Sequence, residues 1–130
     1  MKILCILCSS RKKHSWTAAD RFLDQVAAQT GAKTEIIRLA DYRIEPCIGC
    51  IRCFDHGEEH CPLTDDRDVL LGKIERADGL VIATPNYSFH IPGNLKVLLD
   101  RMGYIFHLPD SAGTDDVSHV PFGYSPQPRP

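Results

Sequence analysis

The chain reads as an α/β domain built on a doubly wound parallel sheet, and three features of its 130 residues point there. Ile3–Leu7 and Leu80–Thr84 are short, unbroken apolar runs, the signature of strands covered on both faces. Thr34–Leu39 is a third strand-like segment, rich in β-branched residues. Stretches with apolar residues at helical spacing alternate with these runs, and that order argues parallel strands joined by right-handed crossovers.

The elements follow in turn. Ser15 or Thr17 offers a hydroxyl cap for a helix through Ala28, with Phe22, Leu23 and Val26 on its apolar face. Gly31 stops it. After the second strand, a cysteine-bearing loop fills residues 41–65. A second helix fits Asp66–Ala77, where Val69, Leu70 and Ile74 recur at helical spacing. A third fits Pro92–Met102, with proline in its first turn. The domain is thereby expected to occupy residues 1–108. Residues 109–130 read as an irregular tail punctuated by Pro109, Pro121, Pro126, Pro128 and Pro130.

Composition narrows the function. Hydrophobic residues make up 43% and charged residues 25%, ordinary for one soluble domain. The net charge of −2 sets up no positive field for nucleic acid. The apolar opening at Met1–Cys8 is too short to span a membrane and lacks a cleavage site. Six cysteines without a signal peptide suggest a reducing, cytoplasmic setting.

Cys47, Cys50, Cys53 and Cys61 form a C-x2-C-x2-C-x7-C run in a polar stretch, followed by Pro62. Three sulfurs two residues apart on one loop suit the corners of an iron–sulfur cluster, with the fourth reaching back from beyond Phe54–His60. Zinc also takes four cysteines, although usually from two separate C-x2-C pairs. A redox-active pair needs only Cys47 and Cys50, or Cys50 and Cys53. Disulfides would need an oxidising compartment. Cys5 lies inside an apolar run and reads as a small buried residue.

Two further loops leave the carboxyl ends of strands, where open α/β sheets hold their ligands. Ser9-Ser10-Arg11-Lys12-Lys13-His14-Ser15-Trp16-Thr17 joins hydroxyls, cations and the free N–H groups of a helix start, a combination that favours an anion. A solvated turn with a capped helix would look the same. The glycines of a dinucleotide or nucleotide P-loop are absent. Pro85-Asn86-Tyr87-Ser88-Phe89-His90-Ile91-Pro92 sets two aromatics on a proline-stiffened turn, suited to a flat heteroaromatic ring or to packing on the following helix. Together the three loops suit a flavin mononucleotide site.

Ser9-Ser10-Arg11-Lys12, Pro46-Cys47-Ile48-Gly49-Cys50-Ile51-Arg52-Cys53 closing at Cys61, and Thr84-Pro85-Asn86-Tyr87 followed by Pro92-Gly93-Asn94-Leu95-Lys96 and Asp100-Arg101 occur in this order. In that combination the chain resembles the iron–sulfur flavoproteins, a branch of the NADPH-dependent FMN reductase group with a flavodoxin-like fold. The resemblance covers Met1 to about His107 and implies site residues. Ser9, Arg11, Ser15, Trp16 and Thr17 would hold the FMN phosphate. Pro85, Asn86, Tyr87 and Phe89 would line the isoalloxazine. Cys47, Cys50, Cys53 and Cys61 would ligate a 4Fe–4S cluster. It further implies a homodimer or homotetramer passing electrons from a reduced donor, NAD(P)H among the candidates, through FMN and the cluster to small acceptors. A cluster-free NAD(P)H-dependent FMN or quinone reductase, and a truncated remnant without catalysis, are the alternative readings. Cys8 and Ser10 stand where the family has Gly and Pro. The family continues for two more strands and helices, so the sheet is expected to be incomplete on its C-terminal side, with an unpaired edge at Leu80–Thr84.

Overall fold

A computed structural model of the chain describes residues 1–102. Strand β1 (Lys2–Leu7) is central, with β2 (Lys33–Arg38) on one side and β3 (Gly79–Ala83) on the other, all parallel. Helix α1 (His14–Thr30) links β1 to β2. Between β2 and β3 lie a short helix α2 (Arg52–His56) and the longer α3 (Arg67–Glu75), and α4 (Gly93–Arg101) follows β3. The expected tail at 109–130 lies outside the described residues.

The period of two along β1 divides the core. Leu4 and Ile6 pack with Ile37 of β2, Leu70 and Leu71 of α3, and Leu95 and Leu98 of α4. Cys5 faces the other way, onto Ala19 and Leu23 of α1. Helices therefore cover both faces, as a doubly wound sheet requires. Each fully buried leucine or isoleucine contributes about 1.5–3 kcal/mol relative to exposure, so this central layer carries the fold.

Three local expectations are corrected. Phe22 is 53% exposed, and Ala19 takes the buried position beside Leu23. On α3 the buried stripe is Arg67, Leu70 and Leu71, while Val69 faces solvent. No hydroxyl caps α1. Lys13 holds the N-cap position without a side-chain bond, and Thr17 Oγ1 donates back to the Lys13 carbonyl at 3.2 Å. The helix starts one residue before Ser15, so both hydroxyls fall inside its first turn. Gly31 ends α1 as expected, in the left-handed region at φ 69°, where its N–H reaches Ala27 O at 2.8 Å.

Strand β3 is exposed on one side despite its apolar run, with Leu80 at 42% and Ile82 at 43%. Among the described residues it pairs with β1 alone, which leaves its other edge unpaired among them, as expected. An edge of this kind invites strand pairing. We expect the 130-residue chain to self-associate in sedimentation velocity, and a concentrated, monodisperse monomer would contradict this. Among the described residues no helix is long and apolar enough to cross a membrane.

Candidate functional site

Register fixes where the loops emerge. Leu7 of β1 pairs with Arg38 of β2 and with Ala83 of β3, so the three strands end level with one another. The turn after β1, the cysteine loop after β2 and the aromatic turn after β3 all leave one rim. Hydrogen bonds tie them together there. Arg38 Nη2 donates to Ser10 O at 2.9 Å, and Asn94 Nδ2 at the start of α4 donates to Cys8 O at 3.0 Å.

In the β1–α1 turn, Ser9 is buried and its Oγ both donates to Arg11 O at 3.0 Å and accepts from Arg11 N at 3.3 Å. That pair holds the turn tight before the helix. The first amides of α1, including those of Ser15 and Trp16, have no helical carbonyl to reach, and no N-cap side chain bonds them. Arg11, Lys12 and Lys13 are exposed beside them, and Lys12 Nζ lies 4.5 Å from the Trp16 ring centroid. Open donors, the positive end of a 17-residue helix and three cations fit a phosphate. Thr17 Oγ1 is already engaged with Lys13.

After β3 the chain makes a tight hairpin. Tyr87 N and His90 O are 2.9 Å apart, His90 N and Tyr87 O 3.0 Å, and the two central residues, Ser88 and Phe89, have φ of 49° and 63°. Positive φ at both centres is the type I′ geometry that usually takes Asn or Gly. Holding Ser and Phe there costs on the order of 1–3 kcal/mol each and marks a candidate functional turn. The turn presents Phe89 at 97% exposure. Thr84, Pro85, Asn86, Phe89, His90 and Ile91 line an open cavity of about 400 Å³. Tyr87 is half-exposed and stands beside that cavity without lining it.

The cysteine loop is more structured than its composition suggests. Positive φ at Gly49 (67°), Ile51 (53°) and Gly57 (100°) folds it around α2, which carries Cys53. Cys47 is exposed, and Cys50, Cys53 and Cys61 are half-buried. Burial pushes the Cys53 thiol up, and charge on Cys47 and Cys61 adds to that rise. The Gly49 amide lies 3.4 Å from Cys47 Sγ. Among the described residues no three His, Cys, Asp or Glu are gathered so that they could hold a metal ion. Four thiols on one loop, with an amide aimed at sulfur, remain a donor set suited to an iron–sulfur cluster, which takes one thiolate per iron.

The residues that anchor this loop carry no motif of their own. Arg101, 4% exposed on α4, bonds Asp65 through two contacts, Nη1–Oδ2 at 2.7 Å and Nη2–Oδ1 at 3.3 Å. Its Nη1 also donates to Glu45 O at 2.7 Å, and Nη2 lies 3.7 Å from Cys61 Sγ. Burial alone would raise the Asp65 carboxyl, but Arg101 and the amides of Glu45 and Arg67 outweigh it and hold it low. Only the Asp100-Arg101 pair hinted at this from sequence; Asp65 gave no signal. Arg67, 2% exposed, likewise pins Glu58 at 2.9 Å.

The remaining thiols differ in kind. Cys5 and Cys8 are fully buried, and burial pushes Cys8 up to about 11. Since reaction needs an accessible thiolate, the metal-free protein is expected to show four thiols that react in the native state, Cys47, Cys50, Cys53 and Cys61, with Cys53 slowed by its burial, and two that react only on unfolding. Titration with an aromatic disulfide under native conditions reads this directly. Six equally fast thiols would overturn the assignment.

Comparison with known proteins adds an independent line. Residues 1–126 match the family described as NADPH-dependent FMN reductase. An iron-sulfur flavoprotein of Methanocaldococcus jannaschii is 39% identical over 101 residues, covering 78% of this chain and 51% of its own length. A solved flavone reductase superposes with a TM-score of 0.62 at 30% identity, over 80% of this chain and 30% of its own. RosB, solved with bound 8-demethyl-8-formylriboflavin-5'-phosphate, superposes at 0.61 with 25% identity, over 88% of this chain and 45% of its own. The chain spans about half the length of the curated relatives it matches.

Proposed function

Because this chain belongs to the NADPH-dependent FMN reductase family, we propose that it is a flavin-dependent oxidoreductase that holds FMN and a 4Fe–4S cluster on one rim of its sheet. The observation that supports this reading is the level ending of β1, β2 and β3, from which the cation-flanked helix start, the turn beside the aromatic cavity and the cysteine loop all depart. Ser9 and the amides of Ser15 and Trp16, with Arg11, would hold the phosphate. Thr17 would join them by giving up its bond to Lys13. Pro85, Asn86 and Phe89 would border the isoalloxazine, with Tyr87 beside it. Cys47, Cys50, Cys53 and Cys61 would hold the cluster. When bound, FMN supplies two-electron acceptance with one-electron release, and the cluster carries single electrons.

The protein's part is position and electrostatics. The helix start neutralises phosphate charge, the strained hairpin sets an aromatic face beside the ring, and the Gly49 amide stabilises negative charge on Cys47. NAD(P)H is the donor class the family suggests, with small molecules as acceptors. A homodimer or homotetramer in a reducing cytoplasm completes the reading, and the apolar β3 edge supports association.

Anaerobic purification followed by flavin, iron and sulfide analysis tests it. The expected result is FMN together with about four iron and four sulfide per chain, with a visible band bleached by dithionite. Flavin without iron would replace this reading by a cluster-free FMN or quinone reductase. A colourless folded protein that takes up no FMN would refute both. FMN should bind at least about tenfold more tightly than riboflavin, the scale of one charge-assisted hydrogen bond.

A further inference from the structure

Arg101 touches both ends of the cysteine loop from outside it. Its guanidinium meets Glu45, two residues before Cys47, then Cys61, and then Asp65 beyond the last cysteine. The carboxylate it grips is itself shared. Asp65 Oδ2 accepts from Glu45 N at 2.8 Å and Oδ1 from Arg67 N at 3.0 Å. The loop is thereby closed at its base on a buried ion pair and fastened to α4. That helix also reaches the β1 turn through Asn94 and follows directly on the aromatic hairpin. The immediate neighbours of the cysteines, Ile48, Gly49 and Ile51, are exposed.

We propose that Arg101 is the positioning residue of the thiol site, holding Cys61 in place and placing a permanent positive charge beside its sulfur. This rests on the cluster reading above. A cationic N–H donor to a ligand sulfur favours the more negative, reduced cluster, so removing it shifts the midpoint potential downward. Arginine suits the task because its planar fork meets Asp65 twice while a second arm reaches sulfur. Lysine has a single ammonium and cannot reproduce that span.

The test compares wild type with Arg101→Lys and Arg101→Gln, using the full chain. In metal-free protein, amide exchange across residues 45–65 should quicken several-fold in both variants while α1 is unchanged. After anaerobic reconstitution with ferrous iron and sulfide, iron affinity should fall about tenfold or more. The clusters that do form should titrate at a lower potential, with Lys intermediate between wild type and Gln. Should Gln prevent folding, Lys decides the matter, since it keeps a charge against Asp65. A variant that is less stable but retains the wild-type potential would reduce Arg101 to a structural residue and overturn the proposal. If wild type itself takes up no iron, the cluster reading falls and the tuning role falls with it.

Discussion

Asp65→Asn is expected to destabilise the fold by about 3–5 kcal/mol, because it leaves the Arg101 charge buried without its partner. Arg101 and Asp65 side chains are 2% and 1% exposed, so water cannot take over the lost contacts. For a domain near 100 residues that loss lowers the melting temperature on the order of 10–30 °C. Surface pairs set the contrast. Arg43 and Glu45 meet at 2.7 Å but are 78% and 41% exposed, and Arg43→Ala should leave the melting temperature essentially unchanged. The same pair predicts an acid limb. The Asp65 carboxyl is held below its usual 3.8, so its contribution is fully present above about pH 4. It is lost as the pH falls below 3.8 through the lowered value, because the unfolded chain then takes up the proton first. Urea midpoints between pH 2 and 6 should fall more steeply on acidification for wild type than for Asp65→Asn. Parallel curves would mean that the pair adds nothing to stability.

Cys53→Ala is expected to bring iron and acid-labile sulfide to background while leaving FMN content unchanged. Cys53 is half-buried within α2, and alanine is a strong helix former, so the short helix tolerates the change. The phosphate and ring contacts come from other loops, which is why flavin should persist. Cys5→Ala serves as the control. It deletes a thiol from the α1 side of the core, far in sequence from the cysteine run, and should cost stability without loss of iron. Retained stoichiometric iron in Cys53→Ala would remove that residue from the ligand set.

Much of the rim was legible in the residues. An apolar run bounded by polar turns has few ways to bury itself, so β1, β2 and β3 appear within a residue or so of their expected places. Gly31 and Pro92 acted as punctuation for reasons of backbone geometry that need no neighbours. The cysteine spacing named a donor set, because two-residue gaps bring thiols onto one local surface. Less legible was the cysteine loop's interior. Its helix α2 is five residues long and follows a left-handed Ile51, a conformation that no side-chain pattern announces. The β3 run, Gly79–Ala83, looked like any buried strand, and its exposed Leu80 and Ile82 gave no sign in the residues, since hydrophobicity does not say which side chains are covered. The Ser88-Phe89 turn was likewise hidden, because neither residue is a usual choice at positive φ.

Local chemistry, then, determined which groups this protein offers: a cation-flanked helix start, a pair of aromatics and a run of thiols, in a fixed order between strands. Only the folded chain decided that they share an edge and what holds them there. The grip of Arg101 on Asp65 spans 36 positions, and that of Asn94 on Cys8 spans 86. Contacts at such separation leave no periodicity in the residues that make them, since they arise from parallel pairing and from the burial of charge against charge.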